Sequence, residues 1–208
     1  MLDIRKLRQE QVELARKVLT TDSFEGIETI GGCDQAFFGK KIVSAVVVLD
    51  RKNLKVIETA YAVQEEKIPY IPEYLVYREG PAITEAYNKL KTKPDLLVVD
   101  GNGILHPRRI GMASHLGLLL DTATIGVAKK LLTGHTTGDK IVVDKEIRAM
   151  LLKTKEHAKP IYVSPGHRIS LETSVKIIRE CLIGHKLPEP LHIAHKISNK
   201  IKKSKIKG

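Results

Sequence analysis

Residues 94–103 read Pro-Asp-Leu-Leu-Val-Val-Asp-Gly-Asn-Gly, and this stretch decides the fold class. Its four apolar residues, 96–99, form an unbroken run of the kind found in strands that are covered on both faces. A second run of this kind, residues 124–128, follows a segment near 108–120 that has the features of a helix. A strand, a helix and another strand in this order predict a crossover between parallel strands.

The segments before residue 94 predict a helix and then a meander. Apolar residues within 3–20 recur on one stripe of a helix, which indicates an amphipathic first helix. From Glu28 to Val63, clusters of β-branched residues are separated by short turns, so we expect three successive strands there. After residue 64 the pattern changes to helices and strands in alternation.

The remaining segments extend this alternation. Pro81 suits the first turn of a helix that runs towards Lys91, because its missing N–H is not needed there. Residues 161–163 predict a short strand, and Ser170 suits the N-cap of a helix that continues through Cys181. A meander followed by crossovers predicts an α/β protein with one mixed sheet.

Length, composition and charge limit the function. A chain of 208 residues, 42% of them hydrophobic, is enough for one core, so we expect a single domain over residues 1–208. The 35 basic and 24 acidic residues give a net charge of +11, which favours a polyanionic partner such as a nucleic acid. Six lysines and no acid lie between Lys196 and Lys207, so much of this excess belongs to a lysine-rich tail at about 196–208.

Two cysteines, Cys33 and Cys181, cannot form a disulfide framework, and a reducing, cytoplasmic setting fits them best. The most apolar stretch, residues 110–120, is well short of the roughly 20 residues that cross a bilayer, so no membrane association is expected. We also expect a monomer.

Four polar residues interrupt the predicted elements. Asp34 ends the first strand candidate, Asp100 ends the run at 96–99, and Lys129 follows the run at 124–128. Glu79 lies in the loop before the Pro81 helix. Because ligands of open α/β sheets bind beyond the carboxyl ends of the strands, several of these side chains are expected to meet at one rim.

Carboxylates without thiolates, facing a basic surface, are suited to Mg²⁺, a hard cation that prefers oxygen ligands. Beside a lysine, such a site would neutralise the charge that develops on a phosphodiester during hydrolysis. The alternative is that Asp34 and Asp100 are turn or cap residues after strands. The spacing alone leaves both interpretations open.

Longer strings favour the first interpretation, because together they resemble the endonuclease V family, the deoxyinosine 3′-endonucleases, over nearly the whole chain. The most specific is Val-Asp-Gly-Asn-Gly-Ile-Leu-His-Pro-Arg-Arg-Ile-Gly-Met-Ala-Ser-His at 99–115. The others are Gly-Cys-Asp at 32–34, Pro-Tyr-Ile-Pro at 69–72, Tyr-Arg-Glu-Gly-Pro at 77–81, Gly-Val-Ala-Lys-Lys at 126–130, Val-Ser-Pro-Gly-His-Arg at 163–168 and Leu-Pro-Glu-Pro at 187–190.

The resemblance implies an RNase H-like fold, a central mixed β-sheet with its first three strands antiparallel and the later ones parallel, flanked by helices. It also implies a DNA repair endonuclease that recognises deaminated purines, chiefly deoxyinosine. Such an enzyme hydrolyses the second phosphodiester bond 3′ to the lesion and leaves 3′-hydroxyl and 5′-phosphate ends. Mg²⁺ is the implied cofactor, with Mn²⁺ as a substitute.

The resemblance assigns catalytic roles to the four polar interruptions. Asp34 and Asp100 match the Mg²⁺ ligands of the family, and Glu79 matches its third acidic residue, assigned to a second metal or to its water. Lys129 matches the lysine beside the scissile phosphate.

Two histidines and two arginines are assigned in the same way. His106 matches an active-site histidine that would hydrogen-bond the phosphate or the leaving oxygen, and His195 occupies a late polar position near the metal. Arg108 and Arg109 are expected to open a helix and to contact phosphates. The alternatives are a structural His106, a helix-surface His195 and solvated arginines.

Pro69, Tyr70, Ile71 and Pro72 resemble the strand-separating wedge of the family, in which a stiff loop inserts an aromatic ring into the base stack. A preformed wedge favours lesions that pair poorly, because unstacking costs a few kcal/mol. The alternative is that Tyr70 only packs beneath a Pro-rich turn.

Gly101 and Gly103 are expected to line the lesion pocket, because residues without side chains let the backbone approach a flipped base; a tight turn is the alternative. Two other functions remain open. One is an inosine-specific ribonuclease that acts on single-stranded RNA, and the other is an inosine-binding module that does not cleave.

Overall fold

A nine-stranded mixed sheet forms the centre of the structure, a computed structural model that describes residues 3–207. The strands are β1 (Thr29–Phe38), β2 (Lys41–Asp50), β3 (Val56–Glu65), β4 (Leu96–Asp100), β5 (Ala123–Ala128), β6 (His135–Thr137), β7 (Lys140–Val143), β8 (Glu146–Leu152) and β9 (Ile161–His167). The helices are α1 (Ile4–Ala15), a 3-10 turn (Pro72–Tyr74), α2 (Leu75–Asn88), α3 (Met112–Leu120), α4 (Leu171–Glu180) and α5 (Glu189–Lys207).

The strand order across the sheet is β3-β2-β1-β4-β5-β9-β8-β7-β6. The first three strands form the predicted antiparallel meander. The central strands β1, β4 and β5 run parallel, with α3 as the crossover between β4 and β5. The predicted α/β class and mixed sheet are therefore confirmed, but the parallel part ends at β5, since β9 and the strands beyond it pair antiparallel.

The unbroken apolar run of β4 is explained by burial on both faces. Leu96 and Val98 belong to the core formed with α4 and α5, whereas Leu97 and Val99 belong to the core formed with α2 and α3. All four side chains are fully buried. The sheet is thus the middle of three layers, with a helix pair on each side.

The predicted helix at Pro81 begins earlier than expected. Helix α2 starts at Leu75 after the 3-10 turn, so Pro81 lies inside it and Glu79 is a helical residue, not a loop residue. The proline that opens this segment is Pro72, which supplies the fixed φ of a first turn. The prediction failed because the pattern contains two prolines that can open a helix.

Two other helix boundaries differ from the prediction. Helix α1 ends at Ala15 rather than near residue 20. Helix α3 begins at Met112, not at 108, because Arg109 has a positive φ of 59° and Gly111 is extended. Arg108 and Arg109 therefore precede the helix in a turn. The predicted cap is correct, since the Ser170 hydroxyl accepts from the Thr173 N–H at the start of α4.

The strands β6, β7 and β8 were not predicted from the sequence. Asp144 and Lys145 form the two-residue connection between β7 and β8, and both have positive φ, as in a type I′ hairpin turn. Lys145 makes the turn between β7 and β8 hard to recognise, because glycine is the usual residue there. Strand β6 is exposed along its whole length, so its sequence shows no alternation of apolar and polar residues.

Residues 196–207 of the lysine-rich tail form the C-terminal part of α5. Ile193 and Ile197 pack on Val47 and Leu49 of β2 and so attach the helix to the sheet. Among residues 3–207, no helix combines the length and the apolar character needed to cross a bilayer.

The contact between α5 and β1 depends on Gly32. A Cβ atom at this position would lie 2.3 Å from the backbone carbonyl of Pro190, in the first turn of α5. Because backbone cannot yield as a flexible side chain can, only glycine allows this approach.

We therefore expect Gly32→Ala to lower the free energy of unfolding by about 1–3 kcal/mol through overpacking. The measurement is urea denaturation monitored by circular dichroism. Gly26→Ala is the matched control, because a Cβ at Gly26 meets nothing within 4 Å and its stability should remain within about 0.5 kcal/mol of the parent. Equal urea midpoints for Gly32→Ala and Gly26→Ala would contradict a close contact between Gly32 and Pro190.

Candidate active site

Two aspartates meet where the parallel pairing of β1 and β4 ends. The last paired residues are Cys33 and Val99, so Asp34 and Asp100 are the next residues on neighbouring strands, which lie about 4.8 Å apart. The Asp34 carboxyl is close enough to help raise the pKa of the Asp100 carboxyl. The expected convergence is confirmed. Asp34 does not end its strand, however, because β1 continues beside β2 to Phe38.

Helix α5 fixes the Asp34 carboxylate. The Oδ2 atom of Asp34 lies 2.8 Å from His195 Nδ1 and 3.2 Å from Ser198 Oγ, and the Asp34 side chain is almost fully buried. His195 is about half exposed. The sequence singled out His195 but missed Ser198, which is one helical turn further along and whose only signal is its polar character among apolar residues.

Lys129 closes the site on the side of β5. Its Nζ lies 2.5 Å from Asp100 Oδ2, where β5 ends beside β4. The pKa of Asp100 is raised to about 7, first because the carboxyl is buried and then because it shares a hydrogen bond with Asp34, while Lys129 acts in the opposite direction. The surroundings of Asp34 and Asp100 therefore disfavour a negative charge on both carboxyl groups at once.

Glu79 approaches the same region from α2. Burial is the main cause that raises its pKa to about 7, and the charges of Asp100 and Asp34 raise it further, while Arg78 lowers it. Glu79 is therefore electrostatically part of the site, although it belongs to the helix pair on the opposite face of the sheet from α5.

The chemistry of these side chains fits a divalent cation. Two adjacent carboxyl groups, one with a raised pKa, repel each other when both are ionised, and a bound cation would relieve this repulsion. Across residues 3–207, no three His, Cys, Asp or Glu side chains are placed as a complete metal cluster. Magnesium needs only one or two carboxylates, since waters and substrate oxygens complete its shell. Asp34 and Asp100 are thus the two ligands that fit, and the metal roles expected for Glu79 and His195 stay predictions.

His106 is held inside the loop between β4 and α3. Its Nε2 lies 3.0 Å from the carbonyl oxygen of Glu73, and its Nδ1 accepts from the N–H of Arg108 at 3.2 Å. Burial lowers its pKa to about 4. Both ring nitrogens are thus used within the protein, so the expected bond to phosphate would require one of these partners to leave. His167 accepts a hydrogen bond from the Leu19 N–H.

Arg108 and Arg109 form ion pairs within the protein. Arg108 lies 2.7 Å from the Glu73 carboxylate and also donates to Gln11 Oε1, and Arg109 lies 2.9 Å from Glu146. Arg108 is largely buried. The contacts with phosphate stay a prediction, and Arg109, the more exposed of the two, is the better placed for them.

A cavity of about 40 Å³ lies between the 72–76 segment and the loop after β4. Gly101, which follows Asp100, lines it together with Asn102, Gly111 and Met112. Gly103 does not, because it packs against β9, where a Cβ would lie 2.0 Å from the Pro165 carbonyl oxygen. Its assignment to the lesion pocket stays a prediction, and this close approach gives Gly103 a packing role as well.

The segment predicted as the wedge is exposed at its tip and anchored at its base. Tyr70 is 64% exposed, which excludes simple packing beneath a turn. Three residues further on, the carbonyl oxygen of Glu73 accepts from Gln11 Nε2 at 2.8 Å and contacts His106. Pro69, Ile71 and Pro72 complete a stiff segment between these points.

The sheet order and the aspartate pair define an α/β protein of the RNase H-like class with a carboxylate site at the end of its parallel strands. A family model described as Endonuclease V matches residues 12–196. The chain belongs to the endonuclease V family, as the sequence strings indicated.

Individual relatives agree over the full length. The Endonuclease V of Dictyoglomus thermophilum is 43% identical over 206 residues, which cover 95% of this chain and 90% of the relative. The crystal structure of the Bacillus subtilis Endonuclease V matches with a TM-score of 0.92 at 29% identity and covers 100% of this chain and 95% of that one. A Ciona intestinalis Endonuclease V in complex with a 23mer DNA containing an inosine followed by a ribo-adenosine matches with a TM-score of 0.88 at 32% identity, over 98% and 99% of the chains.

The buried neutral His106 predicts a dependence of stability on pH. Its folded-state pKa of about 4 lies below the usual 6.5, so this histidine stabilises the fold above pH 6.5 and loses that contribution as the pH falls towards 4. Between pH 7 and pH 5 we expect a loss of about 2 kcal/mol from this group. Urea unfolding of the parent and of His106→Gln, whose amide keeps a donor but does not titrate, measures the difference. An equal decline in both proteins would contradict the assignment.

Proposed function

We propose that the protein is a DNA repair endonuclease that recognises deoxyinosine and other deaminated purines and hydrolyses the second phosphodiester bond on their 3′ side, with Mg²⁺ as cofactor and Mn²⁺ as its substitute. The observation that carries the proposal is the juxtaposition of Asp34 and Asp100 with the Lys129 ammonium beside them. Family membership supports the nuclease activity, and the inosine-containing DNA held by the Ciona relative supports the substrate.

The cavity next to the wedge is the proposed pocket for the flipped base. As placed it is much smaller than a purine, so the 72–76 segment or the loop after β4 would move apart on binding. Within the described residues, the buried Oδ1 of Asn102 has no hydrogen-bond partner, so the pocket holds an unused acceptor. Hypoxanthine carries an N1–H donor where adenine has an acceptor, so such a group would favour the deaminated base.

The chain's own residues would hold and neutralise the scissile phosphate. Asp34 and Asp100 would bind the divalent cation, which when bound supplies a positive charge and an acidic water. Lys129 would balance the charge that develops on the phosphate oxygens. Water then adds to phosphorus, the P–O3′ bond breaks and the leaving 3′ oxygen takes a proton, so the ends are a 3′-hydroxyl and a 5′-phosphate.

His195 and Ser198 would act through Asp34. Their hydrogen bonds fix one carboxylate oxygen and leave the other for the cation. In metal sites, residues that hydrogen-bond to a metal ligand usually hold that ligand in its binding orientation. Removing either partner is therefore expected to weaken the binding of the metal more than the binding of DNA.

The second candidate is an inosine-specific ribonuclease, and one observation favours it. The nucleic acid in the Ciona complex has a ribose after the inosine, so that relative accommodates a 2′-hydroxyl there. A binding module that does not cleave is disfavoured, because buried carboxyl groups with raised pKa values have no use in a mere binder.

The deciding experiment uses matched oligonucleotides that contain deoxyinosine, inosine or adenine at one position, with Mg²⁺ or with chelator. We expect cleavage between the 3′ neighbour of deoxyinosine and the next nucleotide, and no cleavage with chelator. Asp34→Asn and Asp100→Asn should each lose about 10²- to 10³-fold in activity, the range for a lost electrostatic contributor. Product lengths on a denaturing gel give the position.

The thermal unfolding midpoints of both variants must stay near that of the parent. A loss of activity then reflects the chemical step and not unfolding of the protein. Equal cleavage of all three oligonucleotides would contradict the recognition of the lesion. Preference for inosine in RNA over deoxyinosine in DNA would select the ribonuclease. Cleavage activity that persists in Asp34→Asn would contradict the proposed metal site.

A basic groove on α5 continues from the aspartates. It is lined by His195, which contacts Asp34, and by Lys196, Lys200 and Lys203 on one stripe of the helix. The stripe is about 10 Å long at 1.5 Å per residue, which matches about three phosphates of one strand. We expect these lysines to bind the DNA backbone without regard to sequence.

The charge-matched variants Lys200→Gln/Lys203→Gln and Lys202→Gln/Lys205→Gln test this groove. Only the first pair lies on the stripe, so it should flatten the slope of log K against log salt by about 1.5, the value for two lost phosphate contacts, while the second pair should leave the slope unchanged. Fluorescence anisotropy of labelled DNA between 50 and about 200 mM salt measures the slope. Equal shifts in both variants would indicate a general effect of charge.

A further inference from the structure

A cation lies between two aromatic rings beneath the wedge. The guanidinium carbon of Arg78 is 4.9 Å from the ring centre of Phe37 and 5.6 Å from the ring centre of Tyr70. Both distances are within the 6 Å range of cation–π attraction. Phe37 belongs to β1, so the stack links the exposed Tyr70 to the central sheet.

Arg78 itself is rigidly held. Its side chain is only 12% exposed, and its NH2 group lies 2.9 Å from the Glu66 carboxylate just beyond β3. Its Nε is buried and lacks a hydrogen-bond partner among the described residues. The faces of the rings, rather than further hydrogen bonds, therefore surround the guanidinium.

We propose that Arg78 is a positioning residue that holds the Tyr70 ring in the orientation for insertion between base pairs. The inference rests on the proposed function, because it concerns the wedge of the same enzyme. Tyr70 has few other supports, since 64% of it is exposed and it precedes the first helical turn of its segment. A ring that is already oriented loses less conformational freedom when it enters the base stack.

Arg78, which contacts the Tyr70 ring, is also next in the chain to a residue of the candidate active site. Arg78 immediately precedes Glu79 on α2, and its charge lowers the pKa of that carboxyl against the effect of burial. A lysine at this position keeps the positive charge beside Glu79, so Arg78→Lys changes the stack without removing that charge. The planar guanidinium is essential to the stack, because the ammonium of a lysine keeps the charge but cannot stack on two rings.

If Arg78 positions Tyr70, its substitution should lower the cleavage of duplex DNA more than the cleavage of single-stranded DNA. Strand separation is needed in duplex DNA but not in single strands, where bases are already unstacked. Arg78→Lys should lower kcat/KM for duplex deoxyinosine DNA by about 3- to 30-fold, the range for one cation–π contact, and leave single-stranded deoxyinosine DNA within about 2-fold of the parent. Phe37→Leu, which removes the lower ring, should give the same pattern with a smaller loss.

A double-mutant cycle tests whether Arg78 acts through Tyr70. We expect Tyr70→Ala/Arg78→Lys to cleave the duplex no more slowly than Tyr70→Ala alone, because the ring that Arg78 positions is already absent. Losses that multiply in the double variant, or an Arg78→Lys loss that is equal on duplex and single strands, would overturn the proposal. An unchanged rate on the duplex would overturn it as well.

A reporter that needs no cleavage separates this proposal from the proposed function. A 2-aminopurine next to the deoxyinosine in a duplex brightens when it is unstacked, and the signal is recorded with chelator. The parent should raise the fluorescence, and Arg78→Lys should raise it less at saturating protein. A parent that unstacks the base but cuts nothing would contradict the proposed hydrolysis alone, whereas equal brightening by both proteins would contradict the role of Arg78 alone.

Discussion

The register between β1 and β4 is the constraint on which the site depends. Because the last parallel pair is Cys33 with Val99, the two following aspartates must emerge side by side on the same face. A shift of one residue on either strand would send one carboxyl to the opposite face. The burial of both strands in two cores excludes such a shift, so the packing of apolar residues holds two like charges together.

Much of this arrangement could be predicted because its signals are local. An apolar run that stops at Asp100, and another that stops before Lys129, identify strand ends directly from the sequence. Other features depend on long-range contacts. Ser198 acquires its role only where α5 crosses β1, and Gly103 has a packing role that is set by β9. The first turn of α2 was misplaced because Pro72 and Pro81 are equally acceptable locally.

Three histidines show how the partners of a side chain, rather than its identity, decide its function. His106 uses both nitrogens to fix the base of the wedge, and its low pKa keeps it neutral. His167 accepts from the backbone at Leu19. His195 contacts the Asp34 carboxylate from an exposed position. Sequence resemblance placed His106 and His195 near the site, and their hydrogen bonds distinguish them: both nitrogens of His106 are used within the protein, whereas His195 contacts the carboxylate that is proposed to bind the metal.

Helix α2 connects recognition to cleavage across the sheet. The aspartates are supported from the α5 side, whereas Glu79 comes from the α2 side, next to the arginine beneath Tyr70. Among residues 3–207, Lys129 is the lysine or arginine that contacts the carboxyl pair. Burial is the main cause that raises the pKa values of Asp100 and Glu79, and the neighbouring carboxyl groups raise them further. In the proposed function, a bound cation would restore the balance of charge and would also attract the phosphate that the wedge and the cavity position. The unfavourable electrostatics of the protein alone would thus be the source of an affinity for a metal and a polyanion together.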